Sequence, residues 1–390
     1  MSTRAGRYER QVGGYRAFVP KPLPPDPPVQ WTDRLLAALS RADRSLGRLD
    51  GAARSLPNPD LFVAMYVRRE AVLSSQIEGT QSSLDDVLAF EASAPGQAQP
   101  VDLFETVNYV RAMNLGRELL DRLPLSSRLV RALHKELLTG VRGQERHPGR
   151  FRRTQNWIGA AGCTLESAAF VPPPPGEVVN QFGELERFLN DDTLPPLVTA
   201  ALAHAQFETI HPFSDGNGRV GRLLITLVLL EREVLSQPLL YLSVFLKQNR
   251  TEYYDRLMAV RLRGDWEGWL EFFFTGVTVT ADDALRVASS ILALRSEHLR
   301  IAAAEALGRY AVPLLDLLVE QPVVTVKFAN ERLGGTASTI GGLLDRLVGL
   351  GVVVETTGRK RDRVYRYSPF LDLFTNDVLN ISTTPAEVTK

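Results

Sequence analysis

The chain has 390 residues, 45 of them basic and 45 acidic, so its formal net charge at pH 7 is zero. Hydrophobic residues make up 44% and charged residues 23%, a balance that excludes disorder along the whole length, which needs low hydrophobicity and high net charge. Neutrality also excludes a surface given over entirely to nucleic acid or anionic lipid, although it permits a local patch. The length suits two or three domains at about 100–200 residues each. One cysteine, Cys163, cannot form an internal disulfide and fits a reducing compartment. The N-terminal stretch has no apolar core of a signal peptide, and the apolar run Leu223–Leu230 is far short of the ~18 residues a bilayer helix needs. The expectation is a cytoplasmic protein with no membrane partner.

In chain order, the first marked segment is a proline-rich lead, Phe18–Pro28, which can be neither helix nor central strand. Phe18 and Leu23 offer apolar anchors for an arm lying on its own domain; a ligand for a proline-recognising partner is the alternative. From Trp31 the periodicity is helical. Helices are expected from Trp31 to Asp50, from Pro59 to Thr80, after Ser82, over Asp102–Leu120 and over Ser126–Thr139, with a small-residue loop at Ala94–Pro100. The segments Gly149–Gly159 and Thr164–Val171 read as a β-hairpin stopped by Pro172–Pro175. Helices resume at Gly176–Leu189, Leu197–Ile210, Arg219–Val234, Gln248–Leu262, Trp266–Thr280 and Asp282–Ala306. In the last region, helices over Val312–Glu320, Val326–Leu333 and Ser338–Leu350 precede β-prone arms at Val352–Glu355 and Arg363–Tyr367. Helix-turn-helix followed by a hairpin is the outline of a winged helix.

The informative segment is His211-Pro-Phe-Ser-Asp-Gly-Asn-Gly-Arg-Val-Gly-Arg222, set between two apolar helices. Gly216 and Gly218 around Asn217 can turn successive N–H groups inward as an anion nest, and the loop feeds directly into a helix N-terminus that favours phosphate. Arg219 and Arg222, three apart, share a helical face and can grip phosphate oxygens in fork geometry. Asp215 is a hard oxygen ligand suited to Mg²⁺ shared with substrate phosphates. His211 is the group here whose ordinary pKa suits general-base work near neutrality. The loop thus carries the equipment for attack on a nucleotide phosphate. No Walker loop and no dinucleotide fingerprint after a strand is present.

These twelve residues resemble the Fic signature H-P-F-x-[D/E]-G-N-G-R-x-x-R at every defined position. The resemblance implies a mainly α fold, a Fic-type helical bundle with a small β-hairpin flap at Asn156–Phe170, followed here by the winged-helix-like module. It implies transfer of AMP from ATP to a Tyr, Thr or Ser hydroxyl of a target protein, and of the enzyme itself, with release of pyrophosphate. His211 would take the hydroxyl proton, and Asp215 would hold Mg²⁺ (or Mn²⁺). The nucleotide set would comprise Gly216, Asn217, Gly218, Arg219, Gly221 and Arg222 with Phe213, Ser75, Asn249 and Tyr254. Of these, Phe213 is expected to anchor the loop in the core, and Asn249 and Tyr254 are nucleoside contacts or core packing in equal measure. Upstream, Ser74-Ser-Gln-Ile-Glu78-Gly79 resembles the family's inhibitory motif [S/T]-x-x-x-E-[G/N]. Its implied role is competition, with Glu78 taking Arg222 away from the γ-phosphate.

The expected division is 1–100 with the inhibitory helix, 101–280 catalytic, 281–309 a linker helix and 310–390 the winged-helix-like module. Residues 359–366 carry five positive charges and one negative, a stretch that either meets DNA or is solvated while the module serves dimer or target contacts. Two other readings stay open. One is a DNA-binding regulator that senses nucleotide; the other is a Fic enzyme that transfers UMP, phosphocholine or phosphate, or removes AMP. An apolar helical surface makes a homodimer plausible.

Overall fold

The computed structural model describes residues 2–54, 59–92, 100–159, 162–359 and 361–375. Three short strands lead, β1 (Ser2–Thr3), β2 (Gly6–Arg10) and β3 (Arg16–Pro20). Eleven helices follow among the described residues: α1 (Asp33–Arg54), α2 (Pro59–Ile77), α3 (Leu84–Ala92), α4 (Val101–Leu120), α5 (Ser127–Leu137), α6 (Val178–Leu189), α7 (Pro196–Ile210), α8 (Asn217–Glu231), α9 (Ser243–Gln248), α10 (Arg250–Arg263) and α11 (Trp266–Ala304). The last region holds α12 (Ala311–Glu320), β4 (Val323–Thr325), α13 (Val326–Leu333), α14 (Ala337–Gly349), β5 (Val354–Glu355), β6 (Val364–Arg366) and α15 (Ser368–Thr375). No helix among the described residues is long and apolar enough to cross a membrane.

The helices form where the sequence repeats its apolar residues every three or four positions. Helix α1 buries Leu35, Ala38, Ala42, Leu46, Leu49 and Ala53, one stripe that lies along α11. Helices α7 and α8 are buried on nearly every side, as their continuous apolar runs require, and pack against each other at the centre. Side-chain caps start several of the rest: Ser126 accepts from Leu129 N at 3.4 Å, Asp265 from Gly268 N at 3.0 Å and Thr325 from Phe328 N at 3.1 Å. Helix α11 has 39 residues, about 58 Å at 1.5 Å per residue, and runs unbroken through Thr280–Asp282, where two helices are expected.

Three further expectations change. Residues 2–20, given no element in the sequence analysis, form a three-stranded antiparallel meander whose last strand takes in Phe18–Pro20 of the proline-rich lead. Gly13 and Gly14, with φ of 110° and 89°, turn β2 into β3, and Phe18 is buried with its N–H bonded to Val171 O at 2.9 Å. The hairpin at 149–171 reduces to a single antiparallel bridge between Ile158 and Phe170. Its outer residues make local bonds that compete with a ladder: Trp157 Nε1 donates to Cys163 O at 3.0 Å, and Thr164 N to Ser167 Oγ at 3.0 Å. Residues 160 and 161 at its tip, and 94–99 of the small-residue loop, lie outside the described residues. The span expected as one helix from Gln248 is preceded by a separate short helix, α9, and begins at Arg250 after Asn249.

The last region forms an antiparallel sheet of order β4-β6-β5 beside α12, α13 and α14. It is docked, not tethered. Arg68 donates to Glu320 O at 3.2 Å, Gln321 Nε2 to Leu88 O at 3.0 Å, and the Phe374 ring meets Tyr66 of α2 edge-on at 5.7 Å.

Candidate functional site

The site begins where α7 stops. His211 takes the left-handed conformation, φ 49° and ψ 61°, with its N–H on Phe207 O at 2.9 Å. Pro212 then denies the helix a further donor. Gly216, with φ 73°, is the N-cap of α8, a conformation a β-carbon makes costly. Between them the loop is held from several sides. Both amide atoms of Asn217 bond the backbone of Phe213, each at 2.8 Å, so this side chain staples the loop. Phe213 is fully buried and stacks on His134 with ring centroids 3.8 Å apart.

His134, unassigned by the sequence reading, also fixes its own tautomer. Its Nδ1 accepts from Gly149 N at 2.8 Å, so Nε2 carries the hydrogen and donates to Asp215 O at 3.1 Å. Arg152, likewise unassigned, is buried and donates to His211 O at 2.9 Å, to Ile210 O at 3.3 Å and to Pro173 O at 2.6 Å. Asn156 Nδ2 adds a bond to Phe213 O at 3.0 Å. A loop whose carbonyls are held this fully is pre-organised, as a catalytic constellation requires.

Two buried arginines flank the first turn of α8. Arg222 donates to Ser74 Oγ at 2.7 Å, to Ser74 O at 3.0 Å and to Glu78 Oε1 at 2.6 Å. Arg219 donates to Glu105 Oε2 of α4 at 3.1 Å, a partner that no spacing in the sequence marks, and its buried Nε has no partner in the structure. Gly79, with φ 102°, closes the turn that carries Glu78 off the end of α2. The Glu78 carboxylate lies directly over the start of α8: a β-carbon on Gly218 would collide with Glu78 Oε1. It thus occupies the position where a helix N-terminus, whose first N–H groups lack intrahelical partners, favours an anion. Gly221 is a packing glycine, since a β-carbon there would meet Glu208 Oε1 at 2.8 Å and Phe207 at 3.2 Å.

The remaining candidates fall around this centre. Ser75 is fully buried with its Oγ unpartnered. Asn249 caps into the preceding turn, Nδ2 donating to Phe245 O at 2.9 Å. Tyr254 is partly exposed under the Arg250 guanidinium, while its neighbour Tyr253 is core and bonds His204 Nε2 at 2.8 Å. Asp215 Oδ1 accepts from Gly216 N at 2.6 Å, and its Oδ2 points past Gly143, where a β-carbon would come within 3.0 Å. Among the described residues no three His, Cys, Asp or Glu side chains gather as a metal cluster. A cation at Asp215 would therefore draw most of its ligands from substrate phosphates, the usual habit of Mg²⁺.

Burial dominates the electrostatics. It pushes Glu78 up, but Arg222 and Arg219 outweigh it and hold the carboxyl below its ordinary value. The neighbouring Glu78 carboxylate raises Arg222 above the ordinary arginine range despite burial. Burial, with Arg261 and Arg152 nearby, lowers His211 to about 3, so its imidazole is neutral, with Nδ1 unpartnered 3.8 Å from Glu208 Oε2.

A pH dependence of stability follows. Burial lowers His134 to about 4 and His204 to about 3, alongside His211, from an ordinary 6.5. The unfolded chain protonates these imidazoles below 6.5 while the folded chain does not, so stability falls as pH falls. Burial raises Glu70 and Glu208 from 4.5 to about 7, which has the opposite sign: the folded chain keeps protons that the unfolded chain releases above 4.5. Three imidazoles against two carboxyls leave a net difference of one proton between those ordinary values, and below 4.5 the imidazoles, joined by the depressed Glu78 carboxyl, act without that opposition. The melting temperature is expected to fall gently from about pH 6.5 to 5 and steeply below about 4.5. Calorimetry giving a flat profile down to about pH 3.5 would contradict this assignment of charge.

Comparison with known proteins follows the same lines. Residues 36–118 match the Fic/DOC family N-terminal model and residues 124–229 the Fic/DOC family model. A probable protein adenylyltransferase of Aquifex aeolicus is 28% identical over 176 residues, 45% of this chain and 51% of that protein. The protein adenylyltransferase Fic of Drosophila yakuba is 28% identical over 261 residues, 65% of this chain and 47% of that protein. The chain thus spans about half the length of the curated relatives it matches. A Fic family protein from Desulfovibrio desulfuricans superposes with a TM-score of 0.57 at 19% identity, over 87% of this chain and 97% of that one. A Fic domain containing signaling protein from Bacteroides thetaiotaomicron gives 0.50 at 19% identity, over 66% and 97%. With the Fic signature on the loop between α7 and α8, both family segments in order and the fold of Fic proteins around them, the chain belongs to the Fic family.

Proposed function

We propose that the protein is an adenylyltransferase that moves AMP from ATP to a hydroxyl side chain of a target protein, and of itself, releasing pyrophosphate. The observation that carries this is the pairing of an intact phosphate clamp, Arg219 and Arg222 over the first turn of α8, with a neutral imidazole at His211 on the same loop. The names of the relatives support the same reaction.

In this reading the triphosphate lies over the N-terminus of α8, its α-phosphate against the backbone around Gly216–Gly218 and its outer phosphates toward Arg219 and Arg222. His211 accepts the proton of the incoming hydroxyl as that oxygen bonds the α-phosphorus and the bond to the β-phosphate oxygen breaks. The nearby triphosphate charge raises the depressed pKa of His211 toward its ordinary range, so base strength is gained as nucleotide binds. Asp215 would hold Mg²⁺ or Mn²⁺ through its carboxylate, and such an ion would neutralise phosphate charge. Tyr254, exposed at the rim near Glu78 and Arg222, is suited to the nucleoside.

The Glu78–Arg222 pair supports an inhibitory role for the Ser74–Gly79 segment, because the carboxylate and the γ-phosphate compete for one guanidinium. The three helices and β4-β6-β5 sheet support the winged-helix reading of the last region and the proposed division at 310. A DNA partner is less favoured, since Arg363 is committed to Asp345 at 2.7 Å and Arg366 to Asp85 at 3.3 Å. The test is intact mass of Glu78→Gly after incubation with ATP and Mg²⁺. An AMP-sized increment is expected; no increment with ATP, together with one from another donor, would assign a different transferred group.

A further inference from the structure

Beside the catalytic loop lies an open groove of about 610 Å³, lined by Arg131, Arg150, Arg152 and Arg153 together with Phe151 and Val179. Arg152 is turned inward and spent on the carbonyls of His211 and Pro173. Arg131, Arg150 and Arg153 are exposed, and Arg128 and Lys135 extend the same face of α5 one turn to either side of Arg131. Arg131 donates to Gly149 O at 2.7 Å and lies over the Phe151 ring. None of these five cations enters an ion pair among the described residues. Elsewhere on the surface arginines are commonly paired, as in Arg48–Asp282, Arg256–Glu252 and Arg295–Asp316. A neutral chain with as many acids as bases has thus lined one concavity with three unpaired arginines and set two further cations on the helix face that carries Arg131.

We propose that this groove docks an acidic segment of the polypeptide whose hydroxyl is modified, an inference that takes the existence of that polypeptide from the proposed function. Charge complementarity sets the sign of the partner. The apolar lining sets its class: Val179, 66% exposed, and Pro175 line the same groove, a surface suited to side-chain carbon and of no use to a phosphate backbone. The Phe151 ring packs on Phe182 at 4.9 Å and Phe213 at 5.3 Å, which leaves it unsuited as a free platform for bases. The same residues tie the groove to the chemistry. Phe151 touches the ring that anchors the loop, and Arg152 holds the His211 carbonyl, so groove and catalytic loop are one rigid piece. A segment bound through its carboxylates is then presented at a fixed offset from His211, and acidic residues near the acceptor hydroxyl become a specificity rule.

The test measures binding by fluorescence anisotropy of fluorescein-labelled deca-glutamate and deca-lysine to the full chain, at rising salt. Wild type is expected to bind deca-glutamate only, more weakly as salt rises. Arg150→Glu/Arg153→Glu is expected to weaken it by about tenfold or more, with ATP binding unchanged. This variant leaves Arg131 on Gly149, so loss of binding with an unchanged melting temperature is not a folding defect. Failure of wild type to bind deca-glutamate at low salt, or a variant within about twofold of it, overturns the proposal. So does a single-stranded DNA oligomer that binds more tightly and is lost in the same variant. In the Glu78→Gly background, a tyrosine peptide flanked by glutamates is expected to accept AMP faster than one flanked by lysines. Absence of transfer to either, with self-modification also absent, counts against the reaction alone, because the anisotropy result reads the groove without it.

Discussion

Replacing His211 by alanine is expected to lower AMP transfer by about 10²–10⁴-fold, the range a positioned general base contributes. ATP affinity should stay within about threefold, because His211 Nδ1 has no partner in the structure and the arginines proposed to grip the phosphates lie on α8. One complication is local. His211 sits at φ 49°, where a β-carbon costs roughly 1–2 kcal/mol, and alanine lacks the short polar side chain that tolerates that region. His211→Asn is therefore the companion variant: asparagine accepts the left-handed conformation but is not a base at neutral pH. Single-turnover transfer in the Glu78→Gly background, with ATP binding by calorimetry, separates the two effects. Both variants should lose transfer alike while differing in melting temperature. Transfer within about tenfold of the parent in either would remove His211 from proton transfer and leave positioning as the source of rate.

The parts of the fold legible in the sequence are those whose stabilisation is local or periodic. Helices α7 and α8 announce themselves by long apolar runs, and the loop between them by glycines and a proline that a helix would not tolerate. What failed depends on contacts between distant segments. The strand Arg16–Pro20 carries no alternating pattern; it pairs with Gly6–Arg10 along its length, and its Phe18 N–H meets Val171 O across some 150 residues of chain. The hairpin at 149–171 has β-prone composition, yet Trp157, Thr164 and Ser167 find nearer partners than a facing strand. The unbroken α11 hides the expected joint: Asp282, where the second helix is expected to start, and Asp283 are bound sideways by Arg48 and the Tyr241 hydroxyl.

The site divides the same way. His211, Asp215, Arg219 and Arg222 stand within twelve positions, and Ser74 and Glu78 share a helical face, so spacing alone marks them. The residues that hold them do not share that economy. Glu105 on α4, His134 on α5 and Arg152 after it act on backbone or charge more than fifty residues away, and each is ordinary in its own segment. Asn217 shows the limit from the other side: sequence marks it as part of the anion cradle, while its side chain is used to fold the loop.

Replacing Glu78 by glycine is expected to raise self-modification by about 100-fold, the rate that a misplacement of about 1 Å at the reacting atoms costs. The position of Arg222 afterwards decides the outcome. It keeps Ser74 Oγ at 2.7 Å and Ser74 O at 3.0 Å, so the guanidinium stays oriented toward the first turn of α8 when the carboxylate leaves. The γ-phosphate then replaces Glu78 as its anion, and the start of α8 is cleared for the phosphates beneath. Glu78 carries a third of its side-chain surface in solvent, so its removal costs less stability than loss of a fully buried partner. The buried Glu70 and Glu208 near Arg222, raised to about 7, can release a proton to balance the freed charge. Glu78→Gln separates charge from shape: it keeps the bulk over Gly218 but gives up the ion pair, and should fall between wild type and glycine. If glycine and glutamine variants both modify themselves at the wild-type rate, the Glu78–Arg222 bridge fastens α2 to α8 and restrains nothing. A glutamine variant as fast as glycine would place the restraint in the charge on Arg222, and one as slow as wild type in the space above Gly218.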